Sequence, residues 1–153
     1  MAMELDDVIE VVNREVDKIE EWLGEVGDRT ETVAAWLIMV ERGIGIVKED
    51  WCETYKDEYP QEVLEDLVPM VAMGICCLEQ YTNIYEESCP WEHDFSYDDQ
   101  LKIEEAIIIM GDRIQVATHN YYHDEPDMIR SSLEEIKEMV IIGVSCLLQH
   151  GSI

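Results

Sequence analysis

The chain is poor in positive charge. Lys and Arg together number 10 against 36 Asp and Glu, which sets the formal net charge at −26 over 153 residues. A chain so short of basic groups is expected to bind neither naked nucleic acid nor an anionic membrane surface, because both demand a basic footprint. No apolar run reaches the roughly 20 residues of a membrane span. Met1 to Leu5 lead directly into acids, so no secretory leader is expected. The five cysteines are odd in number and follow no framework spacing. They are expected to be reduced, buried thiols of a cytoplasmic protein. No glycine-rich phosphate loop, nucleophile elbow or Cys-x-x-Cys pair occurs, and no stretch alternates as a strand would.

What remains is apolar and helical. Hydrophobic residues make up 47% of the chain, which is enough for a core, so the acids must coat a folded surface rather than fill a disordered tail. Val8, Val12, Ile19 and Trp22 recur at helical spacing over residues 3 to 23, with Gly24 and Gly27 as stop signals. A second helix is expected over residues 30 to 55. Its centre, Val33 to Val40, is apolar on nearly every side and reads as deeply buried. Pro60 suits the first turn of a third helix running towards Tyr85. Ser88 to Tyr97, with Pro90, Trp91, His93 and Phe95, reads as one long connection. A fourth helix is expected over residues 98 to 122. A fifth should open at Pro126 and run to Gln149, capped by Gly151.

The third and fifth helices repeat each other at a shift of 69. Leu64, Glu65, Met70, Val71, Gly74, Cys77, Leu78 and Gln80 meet Leu133, Glu134, Met139, Val140, Gly143, Cys146, Leu147 and Gln149. More loosely, Ile38 to Arg42 resembles Ile109 to Arg113. The expected architecture is a single all-α domain over residues 1–153. It is a five-helix bundle of two pseudo-repeated helical hairpins, about 30–87 and 98–150, plus an N-terminal helix. Gly74 and Gly143, each costing about 1 kcal/mol relative to Ala inside a helix, are expected to mark close helix approach, one against the other. Pro69 inside the third helix removes a backbone hydrogen bond and should kink it.

Helical bundles host metal chemistry through carboxylates on facing helices. Asn13-Arg14, Asp17 and Trp22-Leu23-Gly24-Glu25 are followed by Trp36-Leu37-Ile38-Met39-Val40-Glu41-Arg42-Gly43-Ile44-Gly45. Then come Leu64-Glu65-Asp66-Leu67-Val68-Pro69-Met70-Val71-Ala72 and Leu78-Glu79. In pattern and order these segments resemble the MazG-like, all-α nucleoside triphosphate pyrophosphohydrolases. That resemblance implies a helical fold and Mg²⁺-dependent cleavage of a nucleoside triphosphate to monophosphate and pyrophosphate. It implies metal ligands at Glu41 and Asp66. The family's other acidic positions hold Arg42, Gly45 and Pro69, so the site is eroded. Mg²⁺ binding is expected to be weak, and hydrolysis weak or lost.

In the second hairpin Asp112, Glu135 and Glu138 are the best surviving metal set by count, set against membership of a solvated acidic face. His119 and His123 stand four apart and read as a favourable helix end rather than a metal pair. Trp22, Trp36 and Trp51 read as core rather than as base-stacking surfaces. Three functions stay open. One is a divergent nucleotide hydrolase. Another is an acidic interaction protein that imitates the phosphate row of a nucleic acid and blocks a basic nucleic-acid-binding protein. The third is a protein that binds a nucleotide without hydrolysing it, with the tryptophans as stacking surfaces. The resemblance also implies that a homodimer is possible.

Overall fold

A computed structural model describes residues 3–25, 32–54, 56, 61–85, 89–97, 100–123 and 127–151. Among them lie five α-helices: α1 (Leu5–Glu25), α2 (Val33–Thr54), α3 (Gln61–Tyr85), α4 (Ile103–His123) and α5 (Met128–His150). Two short 3-10 turns, Pro90–Glu92 and Phe95–Tyr97, occupy the long connection. The described residues contain no strand.

The helix starts follow from local hydrogen bonding. At α1 the Glu4 N–H donates to Asp7 Oδ2 at 2.9 Å, the carboxylate half of a capping box. At α2 the Ala35 N–H donates to Thr32 Oγ1 at 3.1 Å, so Thr32 caps the helix. The helix α4 begins later than expected. The Leu101 N–H donates to Gln149 Oε1 at 2.7 Å, and the Leu101 carbonyl meets the His150 ring. The end of α5 therefore holds this backbone outside the helix. Gly24 lies within α1 rather than ending it. Gly27, Pro60 and Pro126 lie outside the described residues. The helix α3 runs on through Pro69.

Apolar faces assemble these helices into a closed ring. α2 packs on α3, α3 on α5, α5 on α4 and α4 back on α2, with α1 laid against α3 and the edge of α5. Val8, Val12 and Val16 of α1 recur every four residues and are buried. Trp36, Leu67, Met70, Met110, Leu133, Ile136 and Met139 fill the centre. Each such side chain contributes about 1.5–3 kcal/mol on leaving water.

The two hairpins are structural equivalents. Burial along residues 63–80 repeats along 132–149 at every position except 69 and 79. The repeat extends to function of position: Gln80 accepts from the Trp36 indole N–H at 3.2 Å, as Gln149 accepts from Leu101. Each glutamine ties the end of one helix to the start of its hairpin partner. Burial along α2 matches α4 at a shift of 70, not the 71 at which Ile38 to Arg42 resembles Ile109 to Arg113. Trp36 and Leu37 correspond to Ala106 and Ile107, and Gly43 corresponds to Arg113. This phase also corrects the expectation that Val33 to Val40 is buried all round. Ile38 and its equivalent Ile108 are each 66% exposed on the outer faces of α2 and α4.

Gly74 and Gly143 do mark the close approach of α3 and α5, but each faces a valine. A Cβ on Gly143 would meet Val71 Cγ2 at 2.6 Å, and one on Gly74 would meet Val140. Residue numbers rise on one helix as they fall on the other, so the pair crosses antiparallel about a pseudo-two-fold axis. Gly151 caps α5 with an extended backbone, not a left-handed one. Space explains the glycine: a Cβ there would meet the Leu147 carbonyl oxygen at 2.5 Å and Met3 Sδ at 2.7 Å.

Candidate functional site

A pocket of about 290 Å³ opens between α2 and α3. From α2 it is lined by Met39, Arg42, Gly43 and Ile46, and from α3 by Asp66, Pro69, Met70 and Met73. Both sets follow the three-and-four spacing of a single helix face. The pocket depends on Gly43. A Cβ there would stand 3.0 Å from Met70 Cγ and 3.3 Å from Met73 Cε, so any side chain would enter the space. Three of the eight lining residues are methionine, which is flexible and adapts to varied guests.

Asp66 is the acid of this pocket. Its Oδ2 is buried and has no hydrogen-bond partner. Burial first, then the neighbouring Asp50 carboxyl and the charges of Glu62 and Glu65, push its carboxyl up to about 7. An ionised carboxylate is disfavoured there because it leaves water and meets like charge. Arg42 is exposed on the rim, and no ion pair joins it to Asp66 among the described residues.

The second hairpin treats the equivalent acid differently. Glu135 corresponds to Asp66 and accepts from Arg113 Nη1 at 2.9 Å, with the two side chains 20% and 33% exposed. Arg113 leaves α4 from the position that Gly43 holds on α2. One hairpin thus supplies a guanidinium to its carboxylate, and the other opens a pocket beside it.

The expected metal ligands do not gather in one place. Asp66 lines the pocket. Glu41 is exposed on α2, and Glu138 is exposed on α5. Asp112 is 66% exposed and lies 3.9 Å from Arg113, while Glu135 is paired with the same arginine. Among the described residues no group of three or more His, Cys, Asp or Glu is arranged to hold a metal ion. Asp50 and Asp66 do come together, with Glu62 and Glu65 near, but they converge on no shared point of three ligands. Mg²⁺ asks for near-octahedral oxygen, and among the described residues the pocket offers it one lining carboxylate.

Asp50 is the acid that the sequence reading passed over. Glu49-Asp50-Trp51-Cys52-Glu53 carries acids at the spacing of a Glu-Glu-x-x-Glu run, which was the available signal. His119 and His123 stack at 4.6 Å on the exposed end of α4, without a third ligand among the described residues. Trp36 is buried as expected, whereas Trp22 is 50% exposed. Burial pushes the thiols of Cys76, Cys77 and Cys146 up to about 12. Cys52 and Cys89 are exposed, contrary to the expectation of five buried thiols.

No helix among the described residues is long and apolar enough to cross a membrane. No family model, curated protein or solved structure matches the chain.

Proposed function

We propose that this chain is a MazG-like helical scaffold that has exchanged nucleotide hydrolysis for binding, and that it engages a basic protein partner. One observation carries the reading. Arg42, Gly43, Asp66 and Pro69 line an apolar, methionine-walled pocket where the resemblance implies a cage of carboxylates. A net charge of −26 supports attraction to a basic partner, because complementary charge speeds encounter and selects orientation. Incubation with nucleoside triphosphates and Mg²⁺ or Mn²⁺ tests it. No pyrophosphate release is expected; release that Asp66→Asn abolishes would overturn the proposal.

A second reading is residual hydrolysis. It is favoured by the Asp50–Asp66 pair, since a carboxyl held near pH 7 in a pocket suits general acid–base work. The same assay decides between the two.

A further inference from the structure

The internal repeat supplies its own comparison. In the α4–α5 hairpin, Arg113 lays a guanidinium against Glu135. In the α2–α3 hairpin, glycine stands at the arginine's position, Asp66 stands at the glutamate's, and the space beside Asp66 is a pocket. We propose that this pocket binds the side chain of an arginine presented by a basic protein partner, Asp66 receiving its guanidinium as Glu135 receives that of Arg113. The inference rests on the reading of the chain as a binding protein and names the group that it recognises.

Three features of the pocket match that guest. Its volume of about 290 Å³ falls at the lower edge of small-molecule sites, roughly 300–1,000 Å³, which suits one side chain better than a nucleotide. Met39, Ile46, Met70 and Met73 offer apolar walls to the methylene stem, since arginine buries its stem along apolar surface. Asp66 offers an oxygen without a hydrogen-bond partner. That oxygen is screened from solvent, so the guanidinium reaches it by displacing a methionine side chain, the most compliant part of the wall.

The local charge favours a cation despite Arg42 on the rim. Asp50, Glu62 and Glu65 all act on Asp66, and these three acids outweigh one exposed arginine. Arginine is favoured over lysine because its planar fork meets a carboxylate with two parallel hydrogen bonds.

The test is a titration of the full chain, followed by NMR, with acetyl-Gly-Arg-Gly-amide and with the same peptide carrying citrulline. Citrulline keeps the shape and removes the charge. The expected result is saturable binding of the arginine peptide, at least tenfold weaker for citrulline. Binding is expected to be lost both in Asp66→Asn and in Gly43→Arg, which refills the pocket from within; circular dichroism checks that both variants remain helical. Equal binding of the two peptides, or undiminished binding by helical Gly43→Arg, would overturn the proposal. Polylysine, titrated in parallel, separates the failures. If it still binds, the arginine pocket alone is wrong; if pyrophosphate release appears instead, the reading beneath it is wrong.

Discussion

Gly74 of α3 lies so close to Val140 of α5 that a Cβ on the glycine would stand 2.4 Å from the valine Cγ2. Its mate across the pseudo-axis, Gly143 against Val71, has the same construction. Val140 is fully buried and Met139 closes the other side at 3.1 Å, so the valine has little room to retreat. We therefore expect Gly74→Ala to destabilise the chain by about 1–3 kcal/mol through overpacking, despite alanine's better helix propensity. Val140→Ala removes the obstructing methyls. The double variant should be more stable than the sum of the two single losses by at least about 1 kcal/mol. Urea denaturation of all four proteins measures this, and simple additivity would refute the close approach.

Asp66 gives the fold a dependence on pH. Its carboxyl ionises near 3.8 when unperturbed and near 7 in the folded chain. Below the lower value both states hold the proton, and the group's stabilising share is complete. Between the two values the unfolded chain ionises first, so that share is lost as pH rises towards 7. Allowing for solvent screening at this partly exposed site, the loss is about 1–2 kcal/mol. Asp66→Asn cannot ionise. The stability of the variant relative to the parent should therefore climb from pH 4 to pH 8, and a flat difference would contradict the raised carboxyl.

The thiols should divide by place. Cys52 and Cys89 are exposed, whereas burial holds the thiols of Cys76, Cys77 and Cys146 protonated. Since the thiolate is the reactive form, iodoacetamide on the native protein at pH 8 should modify Cys52 and Cys89 alone. Peptide mass mapping reads the sites. Denaturant should release the other three, and native labelling of Cys77 or Cys146 would mean that the core opens.

The helices and their repeat were legible because burial writes itself into periodicity. The identities between residues 64–80 and 133–149 fall on the inner helices α3 and α5, where packing restricts the choice of side chain. Ile38 was misread because a continuous apolar run erases the polar face that reports a helix's orientation. The start of α4 was missed because what holds Leu101 out of the helix is Gln149, 48 residues away. The site was the least legible part. Asp50 is one acid among 36, and only the folded chain sets it beside Asp66. Gly43 carries no side chain to draw attention, and its importance appears when it is matched with Arg113.

That last pairing has a consequence for how such a molecule can change. In an assembly of two identical hairpins every substitution arises twice, so a glycine and an arginine can never hold matching positions. Here both halves belong to one polypeptide. One can hold an internal ion pair while the other, without that pair, opens a pocket at the same place. Covalent linkage thus lets the two halves hold different chemistry at matching positions, an ion pair at Arg113 and Glu135 and an open pocket at Gly43 and Asp66.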